Sequence, residues 1–237
     1  MRRFFEDYSD ERNKAWCIHC GATLTSSGTT RDHTPSRVLL DRPFPANLAV
    51  TEICGPCNNG FSRDEQYVAA FLSAVLSGST LPEDQKVLAM RKAFKRSPAL
   101  RRSIESLKEE QLRLSGGADV RWYPDINRIH NVVIKNARSH LYFENGEPMF
   151  GEPSCISCKP IQSLSQSERD EFFGGLSGIA PWCEVGSRWN FRLVEDENFD
   201  SEGFLVIQPG VYRFRVEGGG TGLKSVIREY LTTSVYW

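Results

Sequence analysis

Four cysteines in two pairs carry the first chemistry in this sequence. Cys17-Ile18-His19-Cys20 and Cys54-Gly55-Pro56-Cys57 each set two thiols three residues apart. A Cys-x-x-Cys turn lets two sulfurs converge on one metal, and two such turns complete the tetrahedral Cys₄ shell of a structural zinc ion. Cys17, Cys20, Cys54 and Cys57 are therefore the expected ligands of one Zn²⁺ per chain. Met1-Arg2-Arg3 leads into Phe4-Phe5-Glu6-Asp7 with no apolar run behind it, which reads as a cytoplasmic protein without a signal peptide. A reducing compartment disfavours disulfides between these thiols. The 33 residues between Cys20 and Cys54 exceed what a compact zinc ribbon needs, so something else is folded between the knuckles.

That intervening stretch holds Arg31-Asp32-His33-Thr34-Pro35 and Asn47, and Asn58 follows the last cysteine. Phosphodiester hydrolysis needs an activated water and a means of neutralising charge on the phosphate. His33 suits the first task, because imidazole titrates near neutrality and can accept a proton from water. Asp32 is a hard oxygen ligand suited to Mg²⁺ or Mn²⁺. Arg31 could hold the scissile phosphate. Taken alone, Asp32-His33 reads better as a surface turn and Asn47 as a loop cap; the two zinc knuckles around them favour the catalytic reading. His19, inside the first knuckle, is expected to be exposed, since four thiols already fill a zinc shell.

The order Cys-x-x-Cys, Asp-His-x-x-Pro or a near variant (here Asp32-His33-Thr34-Pro35-Ser36), a middle Asn, then Cys-x-x-Cys-Asn resembles the zinc-stapled HNH endonucleases. These ββα-metal nucleases include phage Holliday-junction resolvases. The resemblance covers about residues 15 to 66, roughly a quarter of the chain. It implies a β-hairpin and a helix gripping one divalent cation. It implies further that His33 is the general base and that Asp32 and Asn58 hold a catalytic Mg²⁺ or Mn²⁺. Asn47 would orient the His33 segment.

The elements around these residues follow from pattern. Pro35, Pro43 and Pro45 keep 36–46 from forming one regular element, and Leu48 to Thr51 is a short strand leading to Cys54. Phe61, Val68, Phe71, Leu72 and Val75 recur at helical spacing, predicting a helix over about 58–76. Seven residues at about 100° each bring Glu65 within about 20° of Asn58, which makes Glu65 a candidate third ligand or a partner for metal-bound water. Leu81-Pro82-Glu83-Asp84 starts a further helix, and Leu100, Ile104, Leu107 and Leu114 predict another amphipathic one. Ile126 to Tyr142 and Glu168 to Leu176 are also expected to be helical. Trp189–Val194, Phe204–Gln208, Tyr212–Glu217 and Val226–Tyr236 alternate as strands do.

The expected class is α+β. An N-terminal ββα-metal zinc module (1–80) is followed by a basic helical connector (81–115). A C-terminal mixed helix and antiparallel-sheet domain (116–237) of unknown role completes the chain. The net charge of −1 hides a division, since residues 81–115 carry nine lysines and arginines against five acids. Lys92, Lys95, Arg96, Arg101 and Arg102 are the candidate nucleic-acid contacts there. No stretch approaches the length of a membrane span. Cys155, Cys158 and Cys183 lack a nearby histidine and read as structural thiols. The expected function is a metal-dependent endonuclease acting on DNA, in bacterial or phage defence or a mobile element, with a partner protein as a further possibility. The alternatives are an RNA-directed nuclease and a non-catalytic zinc module that binds nucleic acid or protein.

Overall fold

The computed structural model describes residues 11–25, 28–46, 48–112, 118–174, 187–195 and 198–237. Asn47 and Cys183, both singled out above, lie outside them. In chain order the elements are a one-turn helix α1 (Glu11–Lys14), strands β1 (Thr29–Thr34) and β2 (Ala49–Cys54), and helices α2 (Gly55–Ser77), α3 (Leu88–Arg96) and α4 (Pro98–Glu105). Strands β3 (Lys108–Leu112) and β4 (Ala118–Trp122) lead to α5 (Ile126–Asn145). Strand β5 (Cys155–Pro160), helices α6 (Gln166–Phe173) and α7 (Arg188–Glu195), and strands β6 (Leu205–Gln208), β7 (Tyr212–Glu217), β8 (Gly222–Ile227) and β9 (Leu231–Tyr236) complete them. The α+β class is as expected. No helix among the described residues is long and apolar enough to cross a membrane.

The described chain falls into two compact units, divided otherwise than at residues 80 and 115. One takes in the chain up to Phe61 and again from Val133 onward; the other is Ser62–Val132. The C-terminal sheet thus shares a unit with the cysteine knuckles. Long-range polar contacts account for this. Arg228 reaches back to the Asp41 carboxylate at 2.9 Å, and Gln208 Oε1 accepts from the Asp41 amide at 2.8 Å.

In this first unit β1 and β2 form an antiparallel pair in which Asp32 faces Thr51, His33 faces Val50 and Arg31 faces Glu52. Helix α2 begins directly after Cys54. Its start fits the sequence, with Pro56 near the first turn, where a missing N–H costs nothing. A separate sheet has the order β5-β9-β8-β7-β6, all neighbours antiparallel. Phe204, Val226 and Phe172 pack together beside it.

In the second unit Tyr67 and Phe71 stack along α2 at 6.0 Å, and Phe71 meets Trp122 edge to face. Tyr67 also accepts from the Asp125 amide at 2.7 Å. Gln85, fully buried, satisfies Ser73, Ser77 and the Ser79 carbonyl, so the α2–α3 connection is held by side-chain amide bonds.

Four elements depart from the sequence expectation. The helix expected to start at Leu81 begins at Leu88, after a single 3-10 turn over Pro82–Asp84. The amphipathic helix expected through Leu114 stops at Glu105, and 108–112 is a strand paired with β4. Its apolar spacing is matched instead by ladder pairing, with Lys108 set over the Trp122 ring at 5.9 Å. The strand expected at Trp189–Val194 is helix α7. Ser187 Oγ accepts from the Asn190 amide at its start, Trp189 is buried, and Arg192 pairs with buried Glu144 at 2.9 Å. The long strand expected at Val226–Tyr236 is split into β8 and β9. Arg228 and Glu229 take positive φ of 56° and 46°, and the Tyr230 amide closes on the Ile227 carbonyl. Two successive left-handed residues form the hairpin turn that matches strand twist, here without the glycine that would announce it.

Candidate metal centre and the Asp32–His33 strand

The two Cys-x-x-Cys turns meet. The Sγ atoms of Cys17, Cys20, Cys54 and Cys57 lie within 4.8 Å of one another, and those of Cys20 and Cys54 are 3.7 Å apart. A zinc ion with arms of about 2.3 Å sets its sulfurs about 3.8 Å apart, so the thiols fit a tetrahedral ion. The local chain explains the convergence. In the first knuckle the Gly21 amide donates to the Cys17 carbonyl at 2.8 Å, and Gly21 holds φ +70, which favours glycine. In the second, Cys54 ends β2 and Cys57 lies in the first turn of α2. Cys17, Ile18, Ile53 and Tyr142 form the core beneath.

The thiols differ in environment. Burial pushes Cys17 up, but hydrogen bonds from the backbone at Cys54, His19 and Cys20 outweigh it and leave the thiol lowered. Burial raises Cys54, and raises Cys57 strongly. Four neighbouring thiols cannot all ionise without a cation among them, and a Zn²⁺ ion held there would supply that charge. Cys155 and Cys158 do not form a second centre. They sit three apart on strand β5, where odd spacing turns side chains to opposite faces.

His19 is buried, contrary to the expected exposure. Its ring meets Phe61 edge to face at 4.8 Å, and Arg138 donates to its carbonyl at 3.3 Å. Burial, then Lys135 and Arg138, lowers its pKa to about 3. It is a neutral core histidine.

Strand β1 divides the polar residues between two faces. Asp32 and Thr34 are buried on one; Arg31 is exposed and His33 half-buried on the other. The imidazole of His33 is lowered by burial, then by Arg37, Arg31 and Lys135, which favours its neutral form.

Asp32 does not stand ready for a metal. Lys135 Nζ, from α5, lies 2.8 Å from Oδ1, which accepts a hydrogen bond, and 2.8 Å from Oδ2 as an ion pair. Lys135 also donates to Ser36 Oγ at 2.8 Å, and Ser36 donates through its amide to Asn136 Oδ1 at 3.0 Å. The lysine side chain is only 1% exposed. An ammonium over both carboxylate oxygens does not fit the expected Mg²⁺ or Mn²⁺ ligand set at Asp32. Asn58 is half-buried in the first turn of α2. Glu65, two turns further on, is half-buried and belongs to the second unit.

The remaining candidates all lie in the second unit. Lys92, Lys95 and Arg96 are exposed on α3; on α4, Arg102 is exposed and Arg101 half-buried. Within the first unit, a cavity of about 450 Å³ is lined by Lys14, Trp16, Arg31, Val50, Glu52 and Tyr142, with Thr51. Trp16 is 45% exposed. Lys135 and Tyr142 carry no signal in the sequence, because on a helix of apolar spacing nothing marks which polar residue faces a carboxylate a hundred residues away.

In comparisons with known proteins, no family model, curated protein or solved structure matches this chain.

Proposed function

We propose that the chain hydrolyses phosphodiester bonds of nucleic acid, DNA first, with His33 as general base. The observation that carries this reading is the four-thiol cluster at the joint between β2 and α2, which fixes the strand pair bearing Asp32 and His33 against the start of the helix. His33 and Arg31 share the more open face of β1. On that face an uncharged imidazole can take a proton from water as the water attacks phosphorus and the P–O bond to the leaving sugar oxygen breaks, that oxygen taking a proton from solvent, while the guanidinium holds a phosphate oxygen. The basic residues of α3 and α4 are the proposed contacts for the rest of the polyanion. Cytoplasmic action in bacterial or phage defence, alone or with a partner protein, is the setting this reading suggests.

A second reading has one observation in its favour. Asp32 is committed to Lys135, as suits a zinc-stabilised module that binds nucleic acid or protein without cutting it.

Zinc-loaded chain incubated with supercoiled plasmid, and in parallel with single-stranded and duplex RNA, tests both. Buffers containing Mg²⁺, Mn²⁺ or EDTA complete the comparison. Nicked or linear plasmid supports the nuclease; cleaved RNA with intact plasmid transfers the reading to RNA. Binding without cleavage of any substrate in any buffer would establish the second reading.

A further inference from the structure

The cavity of about 450 Å³ on the first unit falls within the range of ligand pockets, about 300–1,000 Å³. Three successive residues of β2, Val50, Thr51 and Glu52, border it. Neighbours on a strand point to opposite faces, so the cavity runs along the edge of β2, whose one strand partner among the described residues is β1. Its other walls are Lys14, Trp16, Arg31 and Tyr142. Trp16 precedes the first zinc cysteine, and its backbone is pinned. Thr23 bridges it, and the Ala15 carbonyl accepts from the Leu24 amide at 2.8 Å. Asn13 Nδ2 donates to the Gly146 carbonyl at 3.0 Å, which ties the Lys14 turn to the end of α5, the helix that carries Tyr142. The indole is thus a half-exposed aromatic plate on a fixed backbone, with two cations on the walls around it.

We infer that this cavity takes one unpaired nucleotide of a nucleic-acid strand, its base stacked on Trp16 and its phosphate held by Arg31 and Lys14. Every base has a π-face, so an exposed indole binds one with little regard to sequence. Guanidinium and ammonium groups are the natural partners of phosphate. Glu52, across the strand pair from Arg31, repels phosphate and accepts from a base amino group instead. A base within a duplex is stacked and paired, so it reaches a walled cavity only when extruded or single-stranded. The position fits the proposed reaction. Val50 stands directly opposite His33, and Arg31 lies two residues from it along β1, about 7 Å. The inference rests on the nuclease reading for what His33 does to the neighbouring bond; occupancy is measured without cleavage.

The test is fluorescence anisotropy of zinc-loaded chain in buffer without Mg²⁺ or Mn²⁺, against a labelled DNA strand of about 15 nucleotides and the duplex of the same sequence. The parent should bind the strand more tightly than the duplex. Trp16→Ala should weaken strand binding about tenfold and duplex binding less than about twofold, whereas Trp16→Phe should stay within about threefold of the parent. Should Trp16→Ala lose its zinc, the parent chain serves instead: iododeoxyuridine in the strand, irradiated in the complex, should crosslink to Trp16 in peptide mapping. A parent that prefers the duplex, zinc-loaded Trp16→Ala that binds the strand as the parent does, or a crosslink confined to peptides without Trp16 overturns the proposal. Binding of thymidine monophosphate as tight as that of the strand overturns it too, and makes the ligand a free nucleotide. Strand binding that depends on Trp16, without cleavage in Mg²⁺ or Mn²⁺, would sink the nuclease reading alone, so the two failures are distinguishable.

Discussion

Lys135 Nζ and both carboxylate oxygens of Asp32 lie 2.8 Å apart, joining α5 to β1 across 103 residues of chain. Both side chains are taken from water, so each depends on the other. Removing the lysine alone leaves a buried charge without its main counter-ion, and such losses cost about 3–5 kcal/mol. Lys135→Met is therefore expected to lower urea-unfolding stability by about that amount with zinc bound. Lys135→Met with Asp32→Asn should recover most of it. A single mutant within about 1 kcal/mol of the parent would show that the pair contributes little.

The zinc prediction concerns stoichiometry and folding. Elemental analysis after gel filtration should find one zinc per chain, retained through mild chelation. Cys54→Ser and Cys57→Ser should lose the metal and, with it, the joint between β2 and α2, because binding free energy at such a site is folding free energy. Asp32→Asn should keep its zinc. Loss of zinc from Asp32→Asn as readily as from Cys54→Ser would contradict separate roles for the two groups.

His140 gives the first unit a pH dependence. It is fully buried between Tyr212 and Phe214, with Tyr212 Oη at 3.1 Å. Burial, then Arg192 and Lys135, holds its pKa well below 6.5. The unfolded chain therefore binds a proton that the folded chain refuses. This contribution to stability is full above about pH 6.5 and falls as pH drops below it, by up to about 1.4 kcal/mol per unit, until the lowered folded value is reached. His140→Phe should flatten the parent's slope between about pH 6.5 and 5 in chemical denaturation. An unchanged slope would place the titrating group elsewhere.

Much of the fold is legible in the sequence, and the parts that are not have physical causes. The four cysteines, the extent of α2 and strand β7 are local signals: fixed spacing, apolar period, alternation. Helix α7 resembles a strand in sequence because Arg188 to Glu195 alternates like one, and only the Ser187 cap and the Arg192–Glu144 pair decide otherwise. The β8–β9 turn has no sequence signal because Arg228 and Glu229 adopt positive φ without glycine or asparagine. Lys135 over Asp32 is a contact at long sequence separation, and no spacing rule announces it.

The exposed cations of α3 bear on affinity. If Lys92, Lys95 and Arg96 neutralise phosphates, reversing all three charges should weaken DNA binding and make its salt dependence shallower. The log–log slope should fall by about 0.9 for each phosphate no longer neutralised. An unchanged slope with zinc retained would assign the substrate path to another surface or to a partner protein.

The proposed reaction turns on His33 taking the proton from the attacking water. Single-turnover plasmid cleavage by the parent and by His33→Ala, with zinc content and circular dichroism recorded for both, addresses this step without intermediaries. His33→Ala should cut about 10² to 10⁴ times more slowly, with zinc and fold unchanged. A His33→Ala protein that cuts as fast as the parent would exclude His33 as the base.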